Sequence, residues 1–195
     1  LGMRVLLNDP PRAEIEGAAL FAGMDVLQRE AGIITFHTPL TRIGKHATFH
    51  LLNDEFLEKT ECQPFIINAA RGGVTSNRSL VKALKEKRIS GAVMDCWENE
   101  PTIDGELLKM ADIATPHIAG YSADGKWNAT RMSLENLNKH FSMGIVPVYE
   151  SIPLPSDPII DLSSVTPSSQ LAHAVWRTSN PAVETEALKK SSVEF

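Results

Sequence analysis

Short apolar runs alternate along the chain with stretches in which apolar side chains recur every three or four positions. Met3–Asn8, Gly32–His37, Pro64–Asn68, Gly91–Met94 and Asp112–Thr115 have the length and apolar density of strands. Between them, about Phe21–Ala31, Asn53–Lys59, Asn77–Arg88 and Gly105–Met110 carry helical spacing. In the third of these, Leu80, Val81 and Leu84 lie opposite Lys and Arg, and Ser76 or Asn77 supplies a cap. The strand runs are continuously apolar, which predicts a parallel sheet covered on both faces. Strand–helix alternation of this length predicts a doubly wound α/β domain.

A long amphipathic helix is predicted from about Ser122 to Met143, and there the composition shifts. All 12 glycines lie at or before Gly144, whereas six of the 12 prolines fall between Pro147 and Pro181. The boundary near Gly144–Glu150 divides the chain into domains 1–148 and 149–195. In the tail, Ile152–Leu162 is expected to be extended, and Ser168–Trp176 and Pro181–Ser191 to be short helices. About 45 residues make a poor core alone, so this α+β extension is expected to pack on a partner or on further chain. At the other end, Leu1-Gly2-Met3 reads as a helix end, a glycine stop and an immediate strand, as though the first domain continued upstream.

Charge narrows the partners. The formal net charge is -5, with 19 Lys and Arg against 24 Asp and Glu and no long basic run, which argues against nucleic acid. The densest basic stretch, Lys85-Glu86-Lys87-Arg88, closes a predicted helix and complements its dipole. No apolar run approaches the ~18 residues of a membrane span, and no secretory leader is visible. Two cysteines, Cys62 and Cys96, form no CxxC, so a cytoplasmic protein is expected. His46 and His50 stand four apart, but no Glu lies between them, and no metal is expected.

The chemistry gathers where predicted strands end. Asp9-Pro10-Pro11 reads either as a turn or as an acid placed to bind ribose hydroxyls and repel a 2′-phosphate. Thr38, after Phe36-His37, would stand near a ligand at the carboxyl end of a strand, or simply begin a loop. Arg71 follows the next strand and precedes Gly72-Gly73, which would leave its planar fork clear for a carboxylate. The following strand ends in Asp95, with Glu100 five residues on, and the last runs into Thr115-Pro116-His117. Successive strands thus bring Arg71, Asp95 with Glu100, and His117 to one sheet edge. A histidine oriented by a carboxylate exchanges protons with a hydroxyl, and an arginine holds an acid group. Oxidation of a 2-hydroxy acid by hydride transfer to nicotinamide needs this set. A module that only sensed the dinucleotide would not.

Asn68-Ala69-Ala70-Arg71-Gly72, Asp95 through Glu100-Pro101, and Pro116-His117-Ile118-Ala119-Gly120 resemble the signatures of D-2-hydroxyacid dehydrogenases, in order and spacing, from Asp9 to about Met143. The resemblance implies a Rossmann-like NAD-binding domain with NAD as cofactor. It implies Arg71 and Glu100 as catalytic residues and His117 as proton donor and acceptor. It further implies NAD contacts at Asp9, Thr38, Asp95 and Gly120, and substrate at Tyr121. A small phosphorylated hydroxy acid is the implied substrate, and the tail resembles the start of a dimerisation domain, so a homodimer is expected. No G-x-G-x-x-G occurs, and that loop is expected about 20 residues before Asp9.

Overall fold

The computed structural model describes residues 2–145, 155 and 157–191. The chain divides into two compact units, Leu1–His117 with Pro181–Phe195, and Ile118–Asn180. In the first unit, four parallel strands lie side by side in chain order: β1 (Ile33–Phe36), β2 (Phe65–Asn68), β3 (Gly91–Met94) and β4 (Ile113–Ala114). Helices α3 (Asp54–Glu58), α4 (Asn77–Lys85) and α5 (Gly105–Met110) make the three crossovers. With neighbouring strands joined in one direction, right-handed crossovers put all three helices on one sheet face. Parallel strands flanked by helices are the Rossmann-like arrangement the residue pattern predicted.

Capping explains where the crossover helices begin. Asn53, Ser76 and Asp104 each accept a backbone N–H of the first turn of α3, α4 and α5, respectively. Each such cap contributes about 1 kcal/mol. Leu52, Leu57, Ile66, Val74, Leu80 and Leu107 form the centre of the core, all nearly inaccessible to solvent. β1 and β2 alternate between more and less buried positions, with Ile34, Phe36 and Ile66 inward and Ile33 exposed. The expectation of two covered faces therefore does not hold for β1, because the crossover helices cover one face only.

Two further local expectations change. Met3–Asn8 is not a strand: Met3, Val5 and Leu7 are exposed, and the segment has no ladder partner among the described residues. A strand is defined by its neighbour, and apolar composition alone does not supply one. Immediately after it, Pro10–Glu16 forms a short helix, α1, in place of the turn. Proline suits the first helical turn, and Asp9 caps it by accepting the Arg12 N–H. Helix α2 (Met24–Glu30) leads into β1.

The second unit contains α6 (Ala123–Phe141), capped by Ser122, and α7 (Gln170–Thr178). The expected boundary at 148/149 lies outside the described residues, and the described part of Ile152–Leu162, residues 155 and 157–162, forms no helix or strand. The last helix, α8 (Pro181–Lys190), belongs to the first unit, where it packs on β4.

Candidate active site

Strand register levels the site. Phe36 pairs with Asn68 and Asn68 with Met94, while Met94 pairs with Ala114, so all four strands end at one height. The residues that follow, at Thr38, Arg71, Asp95 and Thr115–His117, emerge along a single edge. This is the edge at which open α/β sheets receive their ligands.

Asp95 is buried at the end of β3, accepts the Thr115 hydroxyl at 2.6 Å, and its carbonyl takes the His117 N–H at 2.8 Å. These bonds tie the end of β4 to the end of β3. Past Asp95, the chain turns through Trp97, whose indole N–H reaches the Thr115 carbonyl at 2.9 Å. Glu100 closes the turn by accepting the Trp97 N–H on Oε1 at 2.5 Å. Its other oxygen, Oε2, faces His117 Nδ1 at 2.8 Å. An ionised Glu100 can only accept, so Nδ1 carries the shared proton and Nε2 is left for a ligand. His117 is half exposed and has φ 55°. A non-glycine residue held in the left-handed region costs about 1–3 kcal/mol and persists where its surroundings over-determine it.

Arg71 is exposed and folds its guanidinium back on the Ala70 carbonyl at 2.6 Å. Its backbone is set by Asn68, fully buried, whose amide donates to the Arg71 carbonyl and to Thr75 Oγ1 and whose oxygen accepts the Ala70 N–H. Gly72 then passes so close to the next loop that a Cβ there would lie 1.8 Å from the Trp97 carbonyl oxygen. The two loops bearing Arg71 and Glu100 are thereby in contact. The charges of both residues reach the buried Cys96 thiol, Glu100 raising and Arg71 lowering its pKa.

Burial, reinforced by Asp95 and Glu100, pushes the Cys96 thiol up to about 12. Its sulfur and the ligand-capable atoms of Glu100 and His117 all lie within 4.8 Å of one another.

The structure brings Arg71, Asp95, Glu100 and His117 to one edge, with Thr38 at the end of β1 on the same edge. The Thr38 hydroxyl is buried and has no hydrogen-bond partner among the described residues. A buried hydroxyl left without a partner is costly and suits a ligand that supplies one. Together with the exposed fork of Arg71, it fits a dinucleotide and an acid at this edge. Asp9 serves α1 as its cap. Gly120 and Tyr121 lie in the second unit, where the Tyr121 ring is exposed beneath the Lys126 ammonium, 3.4 Å from its centroid. His46 and His50 share no helix, and they pair instead with Glu14 and Glu98. The sequence alone assigned Asn68 and Glu98 no role of their own, and it weighed His50 only as half of a metal pair with His46. Asn68 ends a strand and so carried a usable signal, whereas the His50–Glu98 pairing spans 48 residues and carried none.

An arginine, a glutamate and a histidine stand at the carboxyl edge of a parallel sheet, and the comparisons give the class of the domain that carries them. Residues 1–119 match the D-isomer specific 2-hydroxyacid dehydrogenase, NAD binding domain, and the chain belongs to that family of NAD-dependent oxidoreductases. Among solved structures, a D-lactate dehydrogenase from Sporolactobacillus sp. superposes with TM-score 0.61 at 25% identity, covering 74% of this chain and 47% of that one. The apo D-lactate dehydrogenase from Escherichia coli gives TM-score 0.57 at 27% identity, over 74% of this chain and 45% of that one. In sequence, the chain is 43% identical to the erythronate-4-phosphate dehydrogenase of Porphyromonas gingivalis, over its whole length and 53% of the relative. It is 49% identical to that of Bacteroides fragilis over 141 residues, 72% of this chain and 40% of the relative. The chain thus spans about half the length of the relatives it matches. Among the described residues, no helix is long and apolar enough to cross a membrane.

Proposed function

We propose that this chain carries the cofactor-binding and catalytic edge of a cytoplasmic, homodimeric enzyme. The reaction is oxidation of 4-phospho-D-erythronate to 3-hydroxy-2-oxo-4-phosphooxybutanoate, a step toward pyridoxal phosphate. The carrying observation for the chemistry is the Glu100–His117 couple at 2.8 Å, at the same edge as Arg71. The names of the 43–49% identical relatives support the substrate.

His117 Nε2 takes the proton of the substrate 2-hydroxyl as the carbonyl forms, and Glu100 stabilises the imidazolium and holds the ring in place. Arg71 binds the substrate carboxylate and the carbonyl oxygen as negative charge gathers there. Asp9, Thr38, Asp95 and Gly120 would hold NAD, which would supply the hydride acceptor for C2. The Asp9 carboxylate disfavours a 2′-phosphate and so selects NAD over NADP. Tyr121 is assigned to the substrate through the family resemblance.

The test is a panel assayed on the full-length enzyme. Turnover over KM is expected to be highest for 4-phosphoerythronate, ahead of 3-phosphoglycerate, glycerate and lactate. An unphosphorylated acid in first place would remove the substrate assignment and leave the dehydrogenase reading. His117→Ala should lower kcat by about 10²–10⁴-fold, the usual worth of a general base, while NADH affinity holds. Unchanged turnover would remove the couple from the chemistry.

A further inference from the structure

The chain holds a second histidine–carboxylate pair that the proposed chemistry does not use. His50 Nε2 meets Glu98 Oε1 at 2.5 Å, with both side chains partly buried. The other oxygen of Glu98, Oε2, accepts the Asn77 N–H at 2.7 Å, at the first residue of α4. A carboxylate there also meets the positive end of the helix dipole. His50 in turn donates its backbone N–H to the Gly73 carbonyl at 2.8 Å. Two residues on, the Leu52 N–H goes to Val74 and the Leu52 carbonyl accepts the Ser76 N–H. The segment from Arg71 to Asn77 is therefore clamped along its length, by His50–Leu52 and by Glu98.

These contacts bear on Arg71 through the backbone that carries it. Its guanidinium donates to the neighbouring Ala70 carbonyl, and among the described residues it makes no ion pair with a carboxylate. Its direction is set by the backbone that carries it. That backbone enters through Asn68 and leaves through Gly72, pressed on the Trp97 carbonyl next to Glu98. His50 has φ 50°, the same left-handed strain as His117. A residue so strained that bonds through both its main chain and its ring is held by design of the surroundings.

We infer that His50 and Glu98 are a positioning pair that sets the Arg71 loop at the height where the guanidinium meets the substrate carboxylate. The inference rests on the reading of Arg71 as the carboxylate anchor. Displacement of a positioning group by about 1 Å can cost on the order of 10²-fold in rate. Loss of the pair should thus appear in handling of the hydroxy acid and leave the dinucleotide alone.

The experiment is a double-mutant cycle on the full-length enzyme, with kcat and KM for 4-phosphoerythronate and Kd for NADH. Glu98→Ala is expected to lower kcat/KM by about 10–100-fold, with NADH affinity within about twofold. Glu98→Gln should recover most of the loss, since its amide oxygen can still accept the Asn77 N–H. In an Arg71→Ala background, Glu98→Ala should cost less than about twofold more, because groups acting as a unit are not additive. Where turnover of the Arg71→Ala enzyme is too low to follow, the cycle is read from 4-phosphoerythronate binding to the enzyme–NADH complex. Where Glu98→Ala fails to fold, His50→Gln takes its place in the cycle and should show the same pattern. Wild-type kcat/KM in either variant, or full additivity with Arg71→Ala, would overturn the pair's role. Arg71→Ala with unchanged kinetics would instead overturn the reading of Arg71.

Discussion

Cys96 shows how the site's polar groups govern a side chain that takes no part in the chemistry. It lies buried against Asp95, with the Sγ–Oδ2 separation at 3.9 Å, and burial with two carboxylates pushes the thiol up to about 12. The thiolate is the nucleophile toward alkylating agents, so Cys96 should be inert in the folded protein. Cys62 is exposed. Iodoacetamide at pH 8 should therefore label Cys62 alone under native conditions and both cysteines in denaturant, read by peptide mass. Native labelling of Cys96 would show that the site opens. The sign of the linked pH effect follows. Folding favours the neutral thiol, so its contribution is intact below the unfolded value of 9.0 and is lost as pH rises toward about 12. Stability in urea should fall through that window, and less steeply in Cys96→Ala. At this scale the placement of Arg71, Glu100 and His117 at one edge was legible because each follows a strand end and the strands are parallel. Glu98 was not, because its partner His50 comes from a loop whose path no local pattern encodes.

At the scale of elements, the site depends on two loops that touch through backbone. Gly72 begins the turn after Arg71, and an added Cβ would meet the carbonyl of Trp97 and the N–H of Glu98, at 1.8 and 2.6 Å. Neither is the flexible end of a side chain, so the loops must part. Gly72→Ala should destabilise the fold by about 1–3 kcal/mol, the usual cost of overpacking, and should also impair use of the hydroxy acid by moving Arg71. Equal urea midpoints for the two proteins would mean the loops are less tightly joined than their geometry implies. The crossover helices and β1 to β4 were legible from caps and apolar runs, with α5 and β3 matched to the residue. Each failure has its own physical cause. Met3–Asn8 has strand composition without a neighbour to pair with. Pro10-Pro11 has the look of a turn, but behind an Asp cap it opens α1, since the first turn of a helix needs no proline N–H.

At the scale of the molecule, chain order and spatial order part company at α8. The sequence assigns Pro181–Ser191 to a tail that begins after the glycines stop, yet α8 lies in the same unit as the sheet. The anchors are specific. The Thr185 hydroxyl accepts the Ala114 N–H at 3.0 Å across 71 residues and donates to Pro181 at 2.7 Å. Lys189 donates to the Ala111 carbonyl at 2.7 Å, and Leu188 joins the core. β4 is the edge strand that leads into His117, and α8 satisfies part of the backbone that β3 leaves unpaired. Composition concealed this, because a single hydroxyl meeting a strand edge leaves no periodic trace. Thr185→Val would leave the buried Ala114 N–H without a partner at nearly constant side-chain volume. The expected loss is about 1–3 kcal/mol, measured by urea unfolding, with Thr185→Ser retaining most of the wild-type stability. Ending the chain after Asn180 should cost more, because the Leu188 contact is lost as well. That loss should appear first as faster amide exchange at Ala114 and Thr115. Unchanged exchange at both amides in the truncated protein would show that β4 stands without α8.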